Sequence, residues 1–233
     1  MHVAFVMRPN DQVPPTGCGG IGRMVYYLAR GLMQRGHNVT VYTAKSTMLG
    51  CETIMPAGII EQKHEKDIGE TRWAAYAGRV FEHINRTESA YDIINNQYDP
   101  LFFIMGRHLQ TPRLTTLASA AYDKNVQCFS VYPDEFFSGV SKAQLSQYPT
   151  NMNFVGYVHN AVSDDRPFSA KRGAYLFSVS RIRHDKGQHH AIEVSRRVNM
   201  PLIIAGTIVD ADYFYNVINP CITSNLSGPA RWQ

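Results

Sequence analysis

Two short runs hold residues whose types and spacing suit chemistry. Gly17, Cys18, Gly19, Gly20, Ile21 and Gly22 spell G-x-G-x-x-G between an apolar run and a helical pattern. Without Cβ atoms, the backbone N–H groups of such a turn can approach an anion or a sugar hydroxyl, helped by the positive end of the following helix. The plainer use is close packing of that helix on its sheet, and the spelling leaves both uses open. It also invites a nicotinamide-dependent oxidoreductase. Two features oppose that reading. The fingerprint turns directly out of its strand, whereas residues 8–16 here form a long proline-containing loop, and the second strand, VTVYTAK, ends without the acidic residue that would bind a ribose. The second run is Ser180, Arg181, Ile182, Arg183, His184, Asp185, Lys186, Gly187. By composition it is a basic, solvated turn. Its place directly after a strand, at the carboxyl end where open α/β sheets bind ligands, favours an anion site instead. His184, His189 and His190 read most simply as surface or packing residues.

Composition narrows the remaining classes. With 44% hydrophobic residues in 233, the chain can bury a substantial core. The run 2–7 is broken at once by Arg8, Asn10 and Asp11, and no stretch reaches about eighteen uncharged apolar residues, so neither a signal peptide nor a membrane span is expected. Twenty-three basic against nineteen acidic side chains leave +4, scattered along the chain, which gives nucleic-acid binding no support. Cys18, Cys51, Cys128 and Cys221 lie far apart without zinc spacing and read as reduced structural thiols of a cytoplasmic protein.

Those residues need elements to position them. Residues 2–7 form an apolar strand, Ile21, Met24, Val25, Leu28, Ala29 and Leu32 recur at helical spacing, Gly36 stops the helix, and 38–43 is a β-branched strand. This βαβ unit demands a parallel sheet. Trp73, Tyr76, Ala77, Val80, Phe81 and Ile84 mark another helix, leading to a strand at 92–94. Further strands are expected at 113–117, 126–131, 137–140 and 153–158, with short helical or turn pieces between them. The fold class is therefore α/β, with a doubly wound Rossmann-like parallel sheet in a first domain, 1–162. Residues 163–172, polar and without period, read as a linker. The βα rhythm restarts with a strand at 174–179, a helix face at Ala191, Val194, Ser195 and Val198, and a strand at 201–205. The stretch 173–233 is thus expected to be the first part of a second Rossmann-like domain, since an independent domain of this class needs about 100 residues or more.

The pattern VPP-TG-x-GGI-x-R-x-V-x-x-LA-x-GL-x-x-RGH-x-VT over 13–40 resembles the amino-terminal signature of glycosyltransferase family 4, the retaining nucleotide-sugar transferases of GT-B fold. YDII at 91–94, GVSKAQ at 139–144, YVHN at 157–160, FSVSRI at 177–182, Lys186-Gly187, AIEV at 191–194 and PLIIAG at 201–206 look like that family in the same order. The resemblance implies an acceptor-side first domain, a donor-side second domain cut short at its carboxyl end, and reaction in the cleft between them. It implies that Gly19 and Gly20 face the cleft, and that Arg181 and Lys186 hold the donor diphosphate. It also implies sugar or acceptor contacts at Asn95, Asn96 and Ser119. The donor would be a nucleotide-diphosphate sugar, used without cofactor or metal, because fixed cations stabilise the charge growing on the diphosphate leaving group. The reaction implied is of the hexosyltransferase type, and the acceptor is left open.

The sequence departs from the family at two places. Alanine, Ala118, stands where relatives carry a histidine that contacts the donor sugar, and no E-x7-E carboxylate pair occurs in these residues. Weakened donor binding is expected from both. A second class of function therefore stands beside the transferase: a non-catalytic binding or partner subunit, self-associating or completed by another chain through the incomplete second domain.

Overall fold

The structure, a computed structural model, describes residues 1–16, 19–44, 50–55, 69–97, 99–118, 121, 123–161, 169–171 and 173–223. Its chain divides into two compact units, Met1–Asp165 and Arg166–Gln233.

In the first unit, strand β1 (His2–Val6) pairs in parallel with β2 (Asn38–Tyr42) on one side and with β4 (Ile93–Asn96) on the other. β2 carries β3 (Glu52–Ile54) at one edge. Beyond β4 follow β5 (Arg113–Thr116), β6 (Phe136–Gly139) and β7 (Asn153–Tyr157), giving seven parallel strands in the order β3-β2-β1-β4-β5-β6-β7. The order reverses between β1 and β4, so the carboxyl ends of those strands frame the crevice at which such sheets take ligands. Alternation along β1 feeds two cores. Val3, Phe5 and Met7 pack with Val25 and Ala29 of helix α1 (Gly20–Gln34), while Ala4 and Val6 pack with Tyr76, Ala77, Val80 and Ile84 of helix α2 (Glu70–Thr87). Both faces of the sheet are covered, which explains why β1 is buried almost throughout.

Helix α3 (Pro100–Gly106) follows β4, and α4 (Asp123–Ser130) joins β5 to β6. The strand expected at 126–131 is therefore this helix. Parallel neighbours need a crossover, and Val126 and Phe129, one helical turn apart, both reach the cluster around Phe103 and Phe137, whereas Val131 is 67% exposed. β3, three residues long with a glutamate at its start, had no alternation to reveal it. Helix α5 (Lys142–Leu145) connects β6 to β7.

The second unit is one βαβ turn and its cover. β8 (Leu176–Val179) and β9 (Leu202–Ala205) pair in parallel, joined through α6 (Gln188–Val198). A short helix at Ala211–Tyr213, continued by a π-helical turn at Phe214–Ile218, supplies the rest of a small core of Ile182, Tyr213 and Ile218 with Ile192, Ile204 and Phe214. On β8, Phe177 and Val179 remain 55% and 57% exposed. Among the described residues no helix is long and apolar enough to cross a membrane.

Candidate functional site

Beyond β1, Arg8 grips Asp11 with two hydrogen bonds, Nε to Oδ2 at 2.8 Å and Nη2 to Oδ1 at 3.2 Å, which stiffens the loop that leads to the glycines. At the end of β4 the two adjacent asparagines divide their work. Asn96 is 2% exposed. Its Nδ2 donates to the Asp99 carbonyl at 3.0 Å and to Thr115 Oγ1 at 3.4 Å, and its Oδ1 accepts from the Asp99 N–H at 3.2 Å, so its amide closes the turn into α3. Asn95, half-buried, accepts at Oδ1 from Gln97 Nε2 at 2.7 Å and from the Thr116 hydroxyl at 3.1 Å. Thr116 in turn meets Ser138 Oγ at 3.2 Å, so a polar row runs across the carboxyl ends of β4, β5 and β6. Ala118 follows β5, half-buried, with only a methyl group to offer; Ser119 lies outside the described residues.

Asp99, in the turn that Asn96 closes, is fully buried. Its Oδ1 caps α3 by accepting from the N–H groups of Leu101 and Phe102 at 2.9 and 3.0 Å, and its Oδ2 accepts from Trp73 Nε1 at 2.9 Å. Burial pushes the Asp99 carboxyl up, and these bonds together with the Arg8 charge oppose the rise only in part. Sequence reasoning passed over Asp99, although Asp-Pro before the apolar run LFFIMG is a helix-start signal.

The glycines do different jobs. A Cβ on Gly22 would lie 2.0 Å from the Gln12 carbonyl oxygen, and one on Gly19 2.6 Å from Pro15 Cβ, so both permit α1 to pack against the loop. A Cβ on Gly20 would meet nothing within 4 Å, and that residue is exposed at the start of α1. Gly17 and Cys18 lie outside the described residues.

In the second unit Arg181 lies just beyond β8, after Ser180, exposed, and its guanidinium has no ion pair among the described residues. The other two cations share one carboxylate: Arg183 Nε lies 2.7 Å from Asp185 Oδ1 and Lys186 Nζ 3.3 Å from Asp185 Oδ2. Arg183, its side chain still 42% exposed, is thus tied to Asp185. Desolvation would raise the Asp185 carboxyl, but the hydrogen bond from Lys186 and the charges of Lys186 and Arg183 hold it below the usual carboxylate range. Gly187, left-handed at φ 68°, turns the chain into α6 and brings no capping side chain. The first turn of α6 is instead met by Tyr213, whose hydroxyl accepts from the His189 N–H at 3.0 Å and lies 2.8 Å from His189 Nδ1. His184 stacks on His189 with ring centroids 5.1 Å apart. Partial desolvation, then the neighbouring His190 and His184, hold the His189 imidazole below its ordinary value. Gln188, the first residue of α6, is 1% exposed and was not foreseen, since nothing in its surroundings in sequence marks it.

Comparison with known proteins bears on the fold and the family. Residues 18–122 match the family model of Glycosyltransferase Family 4. No curated protein matches the sequence significantly. Among solved structures, AviGT4, a glycosyltransferase involved in avilamycin A biosynthesis, is 20% identical, with 94% of this chain and 60% of that chain covered and a TM-score of 0.63. A glycosyltransferase from Rickettsia africae ESF-5 is 13% identical over 94% of this chain and 64% of its own, with a TM-score of 0.58. WaaG, a glycosyltransferase involved in lipopolysaccharide biosynthesis, is 16% identical over 94% of this chain and 67% of its own, with a TM-score of 0.54. The fold is therefore that of GT-B glycosyltransferases, and the family resemblance read from the motifs is matched over 18–122. The chain spans about 60% of the length of the first of these structures.

Proposed function

We propose that this chain supplies the acceptor side and the donor-phosphate turn of a retaining glycosyltransferase that moves a sugar, of the hexosyl class, from a nucleotide diphosphate to an acceptor. The observation that carries the reading is Arg181: a guanidinium with no ion pair among the described residues, at the carboxyl end of β8 and one short turn before α6, in a chain with the GT-B fold. Breaking the sugar–phosphate bond leaves negative charge on the diphosphate. A fixed two-pronged cation stabilises that charge without reorganising, and Lys186 adds a point charge once phosphate oxygens compete with Asp185 for it. No metal is required in this scheme. On the acceptor side, the polar row from Gln97 through Asn95, Thr116 and Ser138 offers hydroxyl and amide groups suited to sugar hydroxyls, and exposed Gly20 leaves room for a substrate at the start of α1. Asn96, with its amide engaged in the turn, is left a structural role.

A mass-resolved screen of nucleotide sugars tests this reading. Binding or hydrolysis of one donor by this chain, or by a version extended to the length of the solved relatives, is the expected result. If neither binds any donor, the transferase reading is lost. The partner-subunit reading draws on one observation, the exposed Phe177 and Val179 on β8. Light scattering separates it, because a clean monomer at working concentration opposes association through that face.

A further inference from the structure

The exit from β8 is anchored on both sides of Arg181. The Ser180 N–H donates to the Ala205 carbonyl at 3.1 Å, the Ile182 N–H donates to the Thr207 carbonyl at 2.8 Å, and the Ile182 carbonyl accepts from Val209 and Asp210 at 3.1 and 3.2 Å. Gly206 permits that approach: a Cβ there would lie 1.7 Å from the Ser180 carbonyl oxygen. Between these anchors, the peptide carbonyl of Arg181 has one partner among the described residues, the amide of Gln188, whose Nε2 donates to it at 2.9 Å. The same Nε2 lies 2.9 Å from Ser180 Oγ.

Gln188 is 1% exposed, and its Oε1 is buried with no partner among the described residues. Exchanging the amide oxygen and nitrogen would set two oxygens face to face at Arg181, so the unpaired atom must be the oxygen. A methionine of similar volume would fill the same space and bury no unpaired acceptor. Packing alone therefore does not account for an amide here; its two donated bonds do. We infer that Gln188 is a positioning residue: it ties the first residue of α6 to the turn that carries Arg181 and so fixes that cation toward an anionic ligand. The inference rests on the donor-phosphate reading of Arg181.

Calorimetric titration with UDP and GDP compares the unaltered chain with Gln188→Met, Arg181→Ala and the double variant. Gln188→Met is expected to weaken nucleotide binding about tenfold, because a turn released from α6 must be ordered again when phosphate binds. It should cost nothing further once Arg181 is alanine, because both substitutions then remove the same contact. Gln188→Glu supplies a pH profile and a second variant should Gln188→Met fail to fold. As a carboxylate it repels the Arg181 carbonyl; once protonated it donates to it, so its deficit should narrow as pH falls. Affinity equal to the unaltered chain in a folded Gln188 variant, or losses that multiply in the double variant, overturns the inference and leaves the phosphate site standing. If the unaltered chain binds neither nucleotide, the phosphate reading falls instead, and hydrogen exchange decides on Gln188. Faster exchange of amides 181–187 in the variant supports the tie, and unchanged exchange overturns it.

Discussion

Arg181, Arg183 and Lys186 share one turn and differ in what neutralises them. Arg181→Ala should weaken nucleoside diphosphate binding more than Arg183→Ala, because Arg183 is already paired with Asp185 at 2.7 Å. Hydrogen bonds to charged groups contribute about 1.5–3 kcal/mol, so the first loss should be tenfold or more at low salt and smaller as salt rises. Calorimetry giving the reverse order would remove the phosphate site from Arg181. Asp185 competes with a phosphate for both of its partners, so Asp185→Asn should tighten binding by roughly two- to fivefold, the range of exposed ion pairs. The sign follows from the carboxyl's lowered pKa: it stays ionised throughout the neutral range and frees its two cations only as pH falls through that lowered value. A binding profile in which the variant and the unaltered chain differ at pH 7 and converge in acid is the expected result. Equal affinities at pH 7 would show that Asp185 does not compete.

At the scale of elements, the start of a helix decides both stability and access. Asp99 caps α3 and accepts from Trp73, so Asp99→Ala removes a cap and leaves an indole N–H unpaired beside it. The expected cost is about 2–4 kcal/mol in chemical denaturation; a change under about 0.5 kcal/mol would mean the cap is redundant. At α1 the neighbouring glycines should separate cleanly. Gly22→Ala drives a methyl group against the Gln12 carbonyl and should lower the melting temperature by several degrees, whereas Gly20→Ala, with open space around it, should leave melting unchanged. Once a donor and acceptor are in hand, reduced turnover in an otherwise stable Gly20→Ala chain supports substrate approach at that residue. Unaltered turnover would reduce Gly20 to a helix start.

The molecule as a whole is uneven. The first unit packs helices on both faces of its sheet around β1 and holds three clusters of buried residues, while the second closes one small cluster of three buried residues among those described and leaves Phe177 and Val179 on β8 exposed. Local opening tracks buried apolar contact. Amides of β8 and β9 should therefore exchange well before those of β1 and β2 in native-state hydrogen exchange. Equal protection in both units would show that the second is stabilised by something beyond its own core. Any ligand held at Arg181 should slow exchange in β8 and α6 selectively.

Most of the succession of strands and helices, and the parallel sheet, were legible because period, turn residues and crossover length are local properties of the chain. The glycine loop and the basic turn were legible as candidate sites for the same reason: each is a short run beside a strand. Neighbours far apart in sequence decided the rest. Whether 126–131 is strand or helix depended on the crossover between β5 and β6 and on Phe103 and Phe137. Which glycine is open depended on where Gln12 and Pro15 come to lie. Asn95 and Asn96 look alike in the sequence, and only the folded turn commits one to the Asp99 backbone and leaves the other in a row at the sheet's edge. Arg181 has no ion pair among the described residues for a similar reason: Asp185 reaches Arg183 and Lys186, and a Coulomb interaction depends on distance in space rather than on order along the chain.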